Sequence, residues 1–438
     1  MRGALRRWAR DQVPEHPVGR AVAASALVGW AGTGVWISAS ALFFTKLLGL
    51  TAVQVGNGLA MGGVLGLLAM VPISSLARRR HAGRAAAVLQ AVRGLTFLSF
   101  LMVDSVASFY VALALVSVTD GPGKMFGQIV VGRFVPEPDR TGTMAGVQVA
   151  TNVGVTLGAL LGTAGLLRVD RTAFDAVVAV VAAAFFLSAW LLAHTTWRKP
   201  QFGPAEPADG SEPADGGGAP GRRTLRSMAL PLRDLRFTLL TAGNGLLSLH
   251  IPLIAVMTPL WLGHRTSVPP AAMGGLLLLN TVTVVALQVP LGRRVKGVHG
   301  GVRASYAAGA LQAAGCGLLA LAAFVPVGWA LAGLAGAVLA FTLGEIVQVT
   351  AGWTLSFAFA PEDHRQSVYL GFFGVGTEAV AVFGPAALAW LTTFYGAPGF
   401  IAVAALLALA AALTHRAATR PPPTDAPAPE PAPARSPA

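Results

Sequence analysis

Runs of eighteen or more mainly apolar residues recur along the whole chain, separated by short polar segments. As a helix rising about 1.5 Å per residue, each run is long enough to cross a hydrocarbon core about 30 Å thick. Inside lipid no water satisfies backbone N–H and C=O groups, so a spanning segment must pair them internally, and a helix does this within one segment. The alternating pattern of a membrane β-barrel is absent. Charged residues make up 12% of the chain, against about 25% in an ordinary soluble domain. The fold class expected is an all-α polytopic membrane protein with twelve transmembrane helices.

Spans are expected at 20–45, 53–77, 84–103, 107–131, 141–167 and 173–196, and again at 235–262, 270–292, 303–325, 328–357, 366–394 and 397–416. This divides the chain into an N-terminal segment 1–19, a six-helix half 20–197, a linker 198–233, a second six-helix half 234–417 and a tail 418–438. The linker holds Pro200, Gly203, Pro204 and the run Asp215 to Gly218, and the tail is almost entirely Pro and Ala, a composition that forms no packed core. The long first run, followed by many others, reads as an uncleaved first helix and not as a signal peptide.

A net charge of +13 could point to nucleic acid, but the basic residues sit in short loops between apolar runs and not on one polar domain. With the N-terminus inside, cytoplasmic segments carry 26 of the 32 Arg and Lys, and the outer loops carry only Lys46, Arg168, Arg171 and Arg265. That asymmetry predicts both termini in the cytoplasm. The implied location is a bacterial plasma membrane. The single cysteine, Cys316, lies in an apolar run, which leaves no disulfide framework and no cysteine metal site.

The two halves echo each other. Val71-Pro72 precedes Arg78, Arg79 and Arg80, as Val289-Pro290 precedes Arg293 and Arg294. Pro136-Glu137-Pro138-Asp139-Arg140 and Pro361-Glu362-Asp363-His364-Arg365 share Pro-Glu-x-x-Arg at an offset of 225 residues. Parallel repeats of this kind are one arrangement of secondary transporters.

Two six-helix halves, a long basic central loop and Arg clusters after helices 2 and 8 resemble the major facilitator superfamily over about residues 20–417. The stretch Leu76-Ala77-Arg78-Arg79-Arg80-His81-Ala82-Gly83-Arg84 is similar to that family's loop signature after helix 2. Arg78 stands at its acidic position, so the acidic member of the family's latch between halves is missing. By the same resemblance Arg84, Arg140, Arg293, Arg294 and Arg365 belong to loops that move with the conformational cycle. The helix 4 Arg and helix 5 Gly-Pro of drug–proton antiporters are absent, although Gly384-Pro385 occurs in helix 11. Thr342-Leu343-Gly344-Glu345, Ala360-Pro361, Tyr369-Leu370-Gly371 and Gly384-Pro385 resemble an actinobacterial group similar to those antiporters. The resemblance implies a secondary transporter without specifying its substrate.

Ionisable side chains at membrane depth cost about 2.5–3.5 kcal/mol on insertion scales and tend to mark substrate or ion paths. Four stand out: Asp120 and Lys124 in helix 4, Glu345 in helix 10 and Glu378 in helix 11. The 225-residue register maps Asp120 onto Glu345, which suggests one carboxylate per half facing a shared cavity. Such acids suit proton coupling, because burial raises a carboxyl pKa and a nearby cation lowers it again. The competing reading is structural, with Asp120 simply neutralising Lys124 four residues on. Gly121-Pro122-Gly123 between them is expected to weaken or kink the helix. Asn244 and His250 in helix 7, Trp30 and Trp36 in helix 1 and Gln348 in helix 10 are cavity-lining candidates, because these helices line the cavity in the superfamily. His250 could instead be a hydrogen-bonded packing residue, and the tryptophans could face lipid. Arg93 is expected to snorkel toward the cytoplasm. Gly154, Gly158 and Gly162 read as close helix packing.

The function expected is proton-coupled export of a small organic molecule by alternating access. Nutrient uptake is the rival, and a receptor or scaffold that has lost transport is the alternative of another class. No catalytic constellation and no Gly-x4-Gly-Lys-Ser/Thr loop occur, so neither an enzyme nor an ATP-driven pump is expected. Partners are a small-molecule substrate, protons and the lipid bilayer, with no nucleic acid and no cofactor, and the protein is expected to act as a monomer.

Overall fold

A computed structural model describes residues 12–76, 82–165, 170–198, 229–269, 272–362 and 365–420. Among these residues there are twelve helices long and apolar enough to cross a membrane, and no strands. The first six are α1 (Pro17–Lys46), α2 (Ala52–Ser74), α3 (Ala82–Leu98), α4 (Val106–Phe134), α5 (Glu137–Gly165) and α6 (Arg171–Arg198). The second six are α7 (Leu235–Arg265), α8 (Ala272–Gly292), α9 (Gly297–Leu321), α10 (Val327–Phe359), α11 (Gln366–Tyr395) and α12 (Ala397–Thr419). Twelve crossings leave the first and last helices ending on one side, here called the terminal side. Arg78, Arg79 and Arg80, most of the linker and the Pro/Ala tail from Pro421 lie outside the described residues.

Local chemistry sets the helix ends. Thr51 caps α2 by accepting from Gln54 N at 3.2 Å, while Gln54 Oε1 accepts from Thr51 N at 2.9 Å. Ser105 and Ser108 make the same reciprocal pairing at the start of α4. These caps satisfy N–H groups that the first helical turn leaves without partners. Between α11 and α12 the chain turns at Gly396 with φ +61°, a left-handed conformation that favours glycine. Three expectations need correction. The α5 helix starts at Glu137, because Pro138 fits the first turn, where its missing N–H costs nothing. The α9 helix begins at Gly297, six residues before the expected start. And α4 runs unbroken through Gly121-Pro122-Gly123.

Helix contact in lipid rests on close packing, since lipid tails are as apolar as leucine. The glycines of α5 supply it. A Cβ added at Gly154 or Gly158 would collide with the backbone carbonyls of Leu27 or Ala31 on α1, and one at Gly34 of α1 would collide with Val155 O. The two backbones therefore touch directly.

Three buried clusters define how the halves meet. Phe43, Phe100, Phe109 and Phe185 belong to a cluster made of first-half residues alone. Leu253, Trp261, Phe341 and Phe400 belong to one made of second-half residues alone. The third lies toward the terminal side and joins both halves, with Ile129, Val131 and Val147 against Phe357, Leu370 and Phe373. Gln128 donates to Ser356 at 2.8 Å and Arg140 pairs with Glu362 at 3.2 Å across the same seam. The halves are thus sealed on the terminal side and keep separate cores on the other.

Candidate functional site

Between the halves lies a cavity of about 520 Å³, lined by residues from α1, α3, α4, α5, α6, α7, α10 and α11. Lys124, Glu345, Glu378, Trp30, Asn244, His250 and Gln348 all line it. Trp36 does not. It packs among Phe44, Phe97 and Phe100, with ring centroids 4.5–5.6 Å apart, because its level of α1 faces the aromatic core of the first half.

Asp120 is not part of the cavity wall either, and reaches it only through its partners. Its Oδ1 accepts from Arg93 at 2.5 Å and its Oδ2 pairs with Lys124 at 3.0 Å. The unbroken α4 helix makes the second contact possible, since residues four apart share a face. Lys124 also donates to Glu378 Oε1 of the second half at 2.9 Å. The expected pairing of Asp120 with Lys124 therefore exists, but within a larger network of two cations and two carboxylates.

Arg93 corrects the expectation of snorkelling. It is 6% exposed and its guanidinium lies 4.2 Å from the centre of the Phe185 ring. It also donates to Gln90 Oε1 at 2.8 Å. Gln90 donates to Ser188 at 2.9 Å, and Ser188 meets Ser25 at 2.6 Å. A polar chain thus runs from α1 through α6, α3 and α4 to α11. An arginine this buried needs such partners, because an unpaired buried charge is strongly destabilising. Gly123 leaves room for it: a Cβ there would stand 2.8 Å from Arg93 Cδ. The pattern in the sequence that could have found this is Gln90 and Arg93, three residues apart in an otherwise apolar helix.

The second-half wall is built differently. Gln348 donates to Asn244 Oδ1 at 2.7 Å, and Asn244 Nδ2 donates to Thr377 at 3.3 Å, tying α10, α7 and α11 together. Ser248 and Thr377 stand 3.4 Å apart at the same level. Here α7 is irregular: its α-helical turns give way around Ser248, and Leu253–Met257 form a π-helical turn after Pro252. Such turns occur frequently at functional sites. The expected continuous helix missed this, although Pro252 and Pro259 marked it. Within this wall His250 is buried, with Nδ1 3.0 Å from Leu247 O. Glu345 faces the cavity with no hydrogen bond or ion pair among the described residues.

Of the loop arginines, Arg140 bridges the seam to Glu362 and donates to Val135 O at 3.0 Å. Arg84, Arg293 and Arg294 are exposed on the terminal side, and Arg365 stands at the N-cap of α11.

Comparison with known proteins follows this architecture. A bacterial homologue of the iron transporter ferroportin, in an outward-facing state, is 16% identical, with 92% of this chain and 100% of that one covered and a TM-score of 0.71. The Escherichia coli fucose:proton symporter is 11% identical, with 91% and 98% covered and a TM-score of 0.64. At these identities the likeness is one of fold. No curated protein sequence matches the chain. The family model described as Major Facilitator Superfamily matches residues 21–370. Twelve spanning helices, a cavity between two halves and a match over most of the sequence together place this chain in the Major Facilitator Superfamily.

Proposed function

We propose that the protein is a proton-coupled secondary transporter that exports a small organic molecule, with the cavity between the halves as its substrate site. The observation that carries this reading is the Lys124–Glu378 ion pair. It joins the halves at the cavity wall, where alternating access requires them to part. A proton on Glu378 removes one of the two charges holding Lys124, which lowers the cost of opening the terminal-side seam. Glu345 supplies a second proton acceptor in the same cavity.

With the termini in the cytoplasm of a bacterial cell, as the basic loops favour, the terminal-side seal makes the present state outward-facing. Protons would then enter from outside, neutralise the acids and release the substrate there, drive the turn inward, and be lost to the cytoplasm as the next substrate molecule binds. The direction rests on the resemblance to drug–proton antiporters. A cavity lined by residues of one chain supports a monomer as the working unit.

Reconstituted vesicles test this. Glu378→Gln should abolish pH-gradient-driven flux of the cell's exported solutes while substrate exchange without a gradient persists. Gradient-driven flux equal to that of the parent would remove Glu378 from coupling.

A further inference from the structure

The cavity is chemically lopsided. The two cations of the first-half wall are neutralised, because Arg93 and Lys124 are matched by Asp120 behind the wall and by Glu378 of α11. Glu345, in the lining of the same cavity, forms no ion pair or hydrogen bond among the described residues. The groups around it are also acceptors left over after local bonding. Gln348, three residues on and so on the same helical face, commits its amide nitrogen to Asn244 and keeps Oε1 buried without a partner. The Nδ1 of His250 faces a carbonyl oxygen, which can only accept. That nitrogen therefore carries the hydrogen, and in the neutral ring Nε2 remains an acceptor. Asn244 has both ends engaged, its Oδ1 by Gln348 and its Nδ2 by Thr377.

A wall with one carboxylate and two spare neutral acceptors fits a positive group that brings its own N–H bonds. We propose that the α7–α10 wall is a recognition site for a protonated amine, with Glu345 as its counter-charge and Gln348 Oε1 and His250 Nε2 as acceptors. This rests on reading the cavity as the substrate site. Trp30 and Trp353 line the same cavity and can hold the apolar remainder of such a molecule or face its charge. An anion would meet repulsion from Glu345. A quaternary ammonium would satisfy the charge and leave the acceptors unmatched.

The test uses the full chain in detergent, three probes of one shape and quenching of tryptophan fluorescence. The probes are phenethylammonium, its N,N,N-trimethyl analogue and 3-phenylpropionate. Phenethylammonium should bind saturably, the trimethyl analogue roughly tenfold more weakly and the carboxylate not at all. Glu345→Gln should weaken phenethylammonium binding roughly 10–100-fold, the range of a hydrogen bond to a charged group, with an unchanged melting temperature. Glu345→Asp should keep part of the affinity. His250→Ala and Gln348→Leu should narrow the preference for the primary amine while leaving the trimethyl analogue unaffected. Three results would overturn the assignment: equal affinity in a folded Glu345→Gln protein, preferential binding of 3-phenylpropionate, or no saturable binding of either cation. Vesicle counterflow separates the two levels. Binding of the amine without counterflow overturns transport alone, whereas counterflow of the carboxylate overturns the amine assignment alone.

Discussion

Asp120 in α4 and Glu345 in α10 are the same position of the internal repeat, 225 residues apart, and they meet opposite surroundings. Asp120 stands behind the cavity wall with both oxygens held by cations. Glu345 stands in the wall and is held by no hydrogen bond or ion pair among the described residues. The difference lies in the neighbours. Four residues after Asp120 comes Lys124, and four after Glu345 comes Val349. Arg93 approaches Asp120 from α3, whereas the stretch of α9 from Ala304 to Leu321 contains no charged residue and packs Gln312 against Gly344 instead. A repeat in sequence thus fixes where a carboxylate falls along a helix and leaves its partners to the facing helices. One half has made its acid a structural tie, and the other has kept its acid available.

The comparison can be broken most severely at Arg93. Arg93→Ala should destabilise the protein by about 3 kcal/mol, the lower end for breaking a buried pair, because Lys124 still holds Asp120. Thermal melting in detergent measures this, and an unchanged melting temperature would show that Arg93 is not a structural partner. Asp120→Asn should cost about 1–3 kcal/mol by leaving buried Arg93 and half-buried Lys124 poorly matched. Glu345→Gln should cost nothing measurable, since no bond is lost, so equal losses at the two acids would erase the distinction between the halves. Val349→Lys would sharpen it by giving Glu345 the partner that Asp120 has. It should leave the stability within about 1 kcal/mol of the parent and suppress amine binding. Retained binding would mean that the charge of Glu345 is not what the ligand meets. The weakest of the ion pairs between the halves is the one at the seam. Glu362 is 72% exposed, so Arg140→Ala should cost about 0–1 kcal/mol and less at high salt. A larger, salt-independent loss would assign Arg140 a buried role, for example through its bond to Val135 O.

Much of the fold is legible in the sequence. Apolar length identifies spanning helices because lipid leaves the backbone few alternatives, and eleven of the expected spans overlap regular helices with ends displaced by at most about six residues. The exception, α7, was expected as continuous. Hydropathy reports that a segment enters the membrane and carries no information on how its hydrogen bonds are shared, so the π-helical turn went unseen. At the site, rarity was an informative guide: Lys124, Glu345 and Glu378 stood out because charge is costly at that depth, and all three line the cavity. Trp36 and Arg93 were misplaced for one reason. Each lies at a depth that suits a cavity or an interface, and which way it points depends on helix rotation and on the neighbour it meets. Phe97 and Phe100 receive Trp36, and Asp120 and Phe185 receive Arg93.

The sequence alone determined that this chain spans a membrane twelve times, that its halves repeat and that each half carries an acid at the matching depth, because burial in lipid penalises every departure from apolar helix. Only the tertiary structure decided that α3 supplies Arg93 to Asp120, that Lys124 reaches across to Glu378 and that Glu345 is left facing the cavity. Pairing at membrane depth is a contact between helices distant in sequence, and the side chains that make it are selected by packing geometry that no single helix encodes.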